Sequence, residues 1–291
     1  MSASTSTHVA AVPVIVLLIG GLAWAGSQGS AVIGGIPLFG FCAGFALVIQ
    51  WVAFVPAYAA RTERYYDLTG SLTYLSVTAI AVGLGPGPDI RGGLLAALVG
   101  VWAARLGTFL FRRIRADGKD RRFDAIKTSF GRFLLAWTLQ GMWICFTAGA
   151  ALAAMTSVRS VPMGTLGWIG LLVWIIGFGI EVVSDQQKSR FRANPAHEGR
   201  FISTGLWAWS RHPNYFGEIV LWLGVALIAA PALQGWQYAT LLSPVFVTIL
   251  LTMGSGIPLL EERADQTWGG QADYEEYKSS TPVLVPRPPR R

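Results

Sequence analysis

The stretch Ser210 to Glu218, SRHPNYFGE, sets two cations, an amide, a phenol and a carboxylate at one junction between a turn and an apolar helix. Proline at the first helical position sacrifices no hydrogen bond, so Pro213 marks the start of that helix, and Asn214 and Glu218, four residues apart, share one of its faces. The segment that follows, Ile219 to Ala230, is almost wholly apolar. A carboxylate carried into such a helix is costly unless something pairs with it, which makes Glu218 a candidate functional group. Glu181 and Asp185 repeat the same spacing at the end of the preceding apolar stretch, so two polar helical faces meet at one depth. Between them lie Lys188, Arg190, Arg192, Arg200 and Arg211, a density of cations suited to phosphates, with arginine offering planar bidentate recognition.

Other groups lie upstream. Arg105, in VWAARLGTF, is an intramembrane cation that needs a partner or a wet cavity, and Asp67, in RYYDLTGSLTYL, opens another apolar segment. Arg132 joins the candidates through its charge and its place at a span boundary. No GxGxxG follows a strand and no GxxxxGK[ST] loop occurs, so a phosphorylated cofactor must be held by side chains. Cys42 and Cys145 both fall in apolar runs and read as reduced, packed thiols, and no metal site is indicated.

The elements that must position these groups are membrane helices. Of 291 residues, 53% are apolar and 13% charged, too oily for a soluble domain of this size. The expectation is an all-α polytopic bundle of seven or eight spans, eight preferred. They lie near 9–27, 35–60, 70–84, 91–114, 130–155, 163–184, 214–230 and 237–260, against the roughly 20 residues an untilted span requires. The third is short and suits a re-entrant piece as well as a span. The first, preceded by a Ser/Thr-rich stretch, reads as a retained span and not as a cleaved signal. Of the 23 Lys and Arg, only Arg91 and Arg159 fall after odd-numbered spans, whereas 20 follow even-numbered ones. By the positive-inside rule both termini are expected in the cytoplasm, and with them the long basic loops 112–132 and 185–213 and the tail 261–291. This distribution also argues against nucleic acid as the reason for the net charge of +7. No linker separates a soluble domain, so residues 1–291 are expected to form one membrane domain. Nothing in the chain sets an oligomeric state.

The pair SD (184–185), the segment TGLWAWSRHPNYFGEIVLWLG (204–224) and the ending EYKSSTPVLVPRPP (276–289) resemble the steroid 5α-reductase family, in particular its bacterial branch of uncharacterised membrane proteins. The resemblance is strong over 178–291, weaker over 60–132, and extends less closely to the sterol C14- and C7-reductases. It implies an NADPH-dependent reductase of the activated C=C bond of an enone-like lipid, steroid or otherwise, taken from the bilayer of a bacterial inner membrane. The cofactor would enter from the cytoplasm. Residues 178–291 would be the cofactor-binding half. By the same resemblance Asp185, Arg192, Asn214, Glu218 and Tyr277 contact the cofactor, Arg105 matches a family arginine, and Trp222 matches the tryptophan of GEIxxWxG. Glu181, Arg132, Arg200 and Arg211 are added from charge and position. Asp67 stands near the carboxylate that polarises the substrate carbonyl, and Trp102 takes the place of the family's tyrosine, which leaves Tyr66 or Tyr74 to supply the phenol. Trp102 and Trp222 would border the substrate.

Two other classes stay open. Isoprenylcysteine carboxyl and phospholipid methyltransferases share an RHPxYxG segment and bind S-adenosylmethionine, which carries no phosphate. A transporter or lipid-binding membrane protein would also use Arg105, Glu181 and Glu218, though no inverted repeat supports it.

Overall fold

The computed structural model describes residues 3–87, 89–118, 120, 123–254 and 256–289. Lys119, Arg121 and Arg122 of the basic loop, and Arg290 and Arg291 of the tail, lie outside the described residues. The chain is mostly helical and divides into two compact units, Met1–Gly167 with Ile228–Ser243, and Trp168–Leu227 with Pro244–Arg291.

The first unit contains α1 (Ala3–Gly26), α2 (Leu38–Ala59), α3 (Tyr66–Gly83), α4 (Ile90–Asp117), α5 (Phe130–Thr147) and α6 (Gly149–Thr156), with a two-stranded hairpin, β1 (Val32–Ile33) and β2 (Ile36–Pro37), between α1 and α2. Helices α1 and α2 both pack on α5, and α3 packs along α4. An aromatic core of Phe54, Phe123, Phe133 and Trp137 joins α2, the loop before α5, and α5 itself. That loop is fastened by Glu63, 6% exposed, whose carboxylate accepts from Lys127 Nζ at 2.8 Å and from the Asp120 amide at 3.0 Å. The hydrogen bond to Glu63 raises the Lys127 pKa above its ordinary value. At the start of α4, Arg91 is 1% exposed and donates to the carbonyls of Val161, Pro162 and Ile228, closing otherwise orphaned acceptors.

Among the described residues six helical stretches are long and apolar enough to cross a membrane: Val9–Gly26, Leu38–Ala59, Ile90–Arg115, Thr165–Ala193, Pro213–Ala232 and Gly235–Trp268. The bent pair α5 and α6 makes a seventh when it is taken as one span. The continuous span expected at 130–155 is therefore broken, turning by 56° where α5 gives way to α6. At the break the Thr147 carbonyl accepts from the Ser243 hydroxyl, so that acceptor does not go bare in an apolar interior. All eight residues of α6 are buried, most of them small. The expected third span forms a helix, α3, but is too polar to count: Thr69, Thr73 and Ser76 all return their hydroxyls to carbonyls four residues back. By length and composition the preferred count of eight thus becomes six or seven.

The second unit contains most of α7 (Thr165–Ala193) and α8 (Pro213–Ala229), most of α9 (Ser243–Met253), and α10 (Ile257–Trp268) and α11 (Ala272–Ser280). Helices α7 and α8 run antiparallel and touch backbone to backbone along paired glycines. A Cβ added at Gly224 would lie 2.6 Å from Trp174 N, one at Gly217 would lie 2.6 Å from both Glu181 N and Gly177 O, and one at Gly177 would meet Leu221 N. Glycines seven apart on both helices, 170 and 177 facing 217 and 224, permit this approach.

Candidate functional site

The glycine crossing sets the site in the second unit. With Gly217 against Glu181, the next turn of α8 places Asn214 beside the next turn of α7, and Asn214 Nδ2 donates to Asp185 Oδ1 at 3.2 Å. Glu181, Asp185 and Glu218 are 2%, 6% and 8% exposed. Three carboxyl groups and an amide are thus concentrated at the junction of two apolar helices. Ser184, on the same turn, is fully buried, and its carbonyl accepts from Trp207 Nε1 at 3.0 Å. Lys188, one turn on, lies 4.3 Å from the Trp207 ring centroid as a cation–π contact.

The loop before α8 is held by the tail. Ser210 donates its hydroxyl to Leu284 O at 2.8 Å, Arg211 N donates to Pro282 O at 2.9 Å, and Arg287 N donates to Trp209 O at 2.9 Å. Tyr277 donates its hydroxyl to Trp207 O at 2.8 Å and sets its ring 5.3 Å from that of Phe201. Burial pushes the Tyr277 phenol well above its ordinary range, so it stays a donor. The extended ending after residue 280 is therefore laid along residues 209–211.

Glu261, which the sequence reading left out, and His212, read there only as one of two cations, complete the site. Glu261, in α10, forms an ion pair with Arg211 at 2.7 Å and a hydrogen bond with His212 Nε2 at 2.7 Å. His212 is 5% exposed, and burial lowers its pKa against the opposing pull of Glu261, with Lys188 and Arg211 adding to the lowering. A neutral imidazole with its proton on Nε2 fits this setting. Nδ1 is then a buried acceptor with no hydrogen-bond partner among the described residues. The signal was present in the sequence: a histidine inside the polar junction, and a carboxylate directly after the last apolar stretch.

The remaining residues named from sequence fall elsewhere. Arg190 and Arg192 are exposed in the last turn of α7 and Arg200 is exposed on the segment after it, whereas Trp222 is fully buried on α8. Asp67, Tyr66, Tyr74, Trp102, Arg105 and Arg132 belong to the first unit. There Arg113 approaches Asp67 at 3.9 Å, and Tyr74 and Trp102, both buried, meet edge to face with centroids 5.1 Å apart. Tyr66 donates its hydroxyl to Ala136 O at 2.9 Å and wedges its ring between Phe123 and Trp137. Arg105 is half-buried over the Phe109 ring, 5.3 Å from its centroid. Arg132 is half-buried in the first turn of α5. Near Tyr66, Gln140 Nε2 donates to Tyr66 O, and Gln50 Nε2 donates to Thr73 Oγ1 at 2.9 Å, giving α3 interhelical polar ties to α5 and α2.

A family model described as a protein of unknown function, DUF1295, matches residues 53–281, most of the chain. The chain belongs to the DUF1295 family. Among curated proteins this DUF1295 chain is 25% identical over 173 residues to an uncharacterized protein of Schizosaccharomyces pombe, covering 49% of the chain and 50% of that protein. It is 39% identical over 71 residues to 3-oxo-5-alpha-steroid 4-dehydrogenase 1 of Bos taurus, covering 24% of the chain and 27% of the relative. To the Rattus norvegicus protein of the same name it is 30% identical over 118 residues, 40% of each chain. The chain thus spans half or less of the length of each of these relatives. It is a distant relative of the steroid 5α-reductases and an integral membrane protein. No solved structure matches it.

Proposed function

We propose that this protein is an NADPH-dependent membrane reductase that saturates the activated C=C bond of an enone-like lipid. The observation that carries the reading is the buried cluster Glu181, Asp185, Asn214 and Glu218 beside an exposed basic segment, in a chain distantly similar to 3-oxo-5-alpha-steroid 4-dehydrogenases. The donor set fits a dinucleotide. Buried carboxylates suit ribose hydroxyls and a carboxamide, His212 Nδ1 adds a buried acceptor, and Arg190, Arg192 and Arg200 are exposed cations for phosphates, including a 2′-phosphate. NADPH, when bound, supplies the hydride. Tyr277 and Ser210 keep the loop that carries Arg211 and His212 in place.

In the first unit, Asp67 and Tyr74 are assigned to polarise the lipid carbonyl. Tyr66 gives its hydroxyl to Ala136 O, and Tyr74, packed on Trp102, is assigned as the phenol because Trp102 takes the place of the family's tyrosine. The bacterial branch of the family, a bacterial inner membrane and a cytoplasmic cofactor side remain part of the proposal. The last is supported by the density of cations in 112–132, 185–213 and 261–291. The test is thermal unfolding of purified protein with NADPH, NADH or S-adenosylmethionine, because a ligand that binds the native state raises apparent stability, by about 2.7 kcal/mol at a hundredfold excess over Kd. Stabilisation by NADPH that disappears in Glu218→Gln and Asp185→Asn is expected. Stabilisation by S-adenosylmethionine instead would assign the same cluster to a methyltransferase.

A further inference from the structure

A groove of about 350 Å³ lies between α3 and α4 within the first unit. One wall is the leucine row Leu68, Leu72 and Leu75 of α3. The floor is made by small residues: a Cβ added at Gly107 would lie 2.5 Å from Ser71 Cβ and Oγ, so the two helices pinch together there. Above the floor, Ala104 is exposed and Leu72 is 52% exposed, so the groove opens on the outward side of the helix pair. The stretch Ile90–Arg115 of α4 has the length and apolarity of a membrane span, so that outward side is suited to hydrocarbon.

The lining of α4 runs from Ala103 to Arg115. At about 1.5 Å per residue that is about 18 Å, close to one leaflet of a hydrocarbon core about 30 Å thick. One end is cationic. Arg112 and Arg115, three apart on one helical face, both line the groove and are exposed, while the intervening Arg113 turns to Asp67 at 3.9 Å. A neutral lipid has no use for two cations at the end of an apolar trough. A phosphodiester with an acyl chain attached complements both parts, since guanidinium pairs with phosphate oxygens and leucine rows pack on methylenes.

We propose that the α3/α4 groove is a docking site for one anionic glycerophospholipid of the surrounding bilayer, its phosphate on Arg112 and Arg115 and one acyl chain laid along Leu68, Leu72 and Leu75. The site is independent of the reductase assignment.

Native mass spectrometry tests it on the full-length protein, released from micelles holding equal amounts of phosphatidylglycerol and phosphatidylcholine of matched chains. The expected result is one retained phosphatidylglycerol, favoured roughly tenfold or more over phosphatidylcholine, as two interfacial arginines imply. Arg112→Gln/Arg115→Gln should abolish that preference. Ala104→Trp, which fills the trough and keeps both cations, should also remove the bound lipid, whereas Val101→Trp, exposed but outside the lining, should leave it unchanged. Equal retention of the two lipids, or retention of phosphatidylglycerol by both the double variant and Ala104→Trp, would overturn the proposal. So would displacement of the lipid by inorganic phosphate alone, which would reduce the site to a surface ion contact.

Discussion

Gly217→Ala tests whether the glycine crossing of α7 and α8 is what assembles the site. The added Cβ would lie 2.6 Å from Glu181 N and Gly177 O, both backbone atoms that no side-chain rotation can move. Reaching an ordinary 3.4 Å contact requires the helices to part locally by about 0.8 Å. The Asn214 to Asp185 hydrogen bond, already 3.2 Å long, would then stretch to about 4 Å and be lost. Overpacking costs about 1–3 kcal/mol and alanine returns up to about 1 kcal/mol of helix propensity, so stability should fall by about 1–2 kcal/mol. Asn214 and Asp185 would then no longer be held in register for the cofactor, and NADPH binding should weaken by roughly tenfold or more, about 1.4 kcal/mol. The control is Gly179→Ala on the facing helix α7, where an added Cβ meets nothing within 4 Å. It should bind NADPH as the parent does and be equally or more stable. The assay is NADPH titration by fluorescence, paired with thermal unfolding of each variant without ligand. Wild-type affinity in Gly217→Ala, or equal losses in both variants, would refute the reasoning.

The tyrosines should separate by readout: Tyr74→Phe lowers turnover about 10²-fold or more with little effect on NADPH affinity, whereas Tyr66→Phe retains activity and loses about 1 kcal/mol of stability with its hydrogen bond to Ala136 O. Melting of each variant and initial rates on an enone lipid distinguish the two. His212 gives a pH signature. Its pKa in the fold is below the unfolded value of about 6.5, so the unfolded state binds the extra proton. Its contribution to stability is full above about pH 6.5 and is lost as pH falls toward the folded pKa. Thermal unfolding between pH 8 and pH 5 should therefore decline more steeply for the parent than for His212→Asn, and parallel curves would contradict the placement of a buried neutral imidazole.

Much of the second unit was legible because its polar residues are rare in apolar surroundings. Four-residue spacing alone put Glu181 with Asp185 and Asn214 with Glu218, and the fold joins the two pairs through Asp185 and Asn214. What the spacing did not show was how the helices come close enough. That depends on glycines seven apart, which carry no chemistry and attract notice only when both helices are read together. The pairing of His212 with Glu261 was missed for a related reason: each looks like a boundary residue until a tertiary contact across 49 positions joins them. The break at the end of α5 is invisible to hydropathy because Ala148 and Gly149 are as compatible with a continuous apolar span as their neighbours. A hydroxyl from Ser243, almost a hundred residues away, satisfies the Thr147 carbonyl at the break. Tyr66 and Tyr74 were equivalent as phenols in sequence, whereas the fold gives Tyr66 a backbone acceptor on α5 and packs Tyr74 on Trp102.

The most direct measurement is isotope transfer by the purified full-length protein, using NADPH deuterated at the hydride-donating C4 position and a panel of enone lipids. The account predicts a saturated product one mass unit heavier than that formed with unlabelled cofactor, with deuterium at the β-carbon and a solvent proton at the α-carbon, and no such product from Glu218→Gln. A protein that binds no NADPH but transfers a methyl group from S-adenosylmethionine to a lipid acceptor would contradict it.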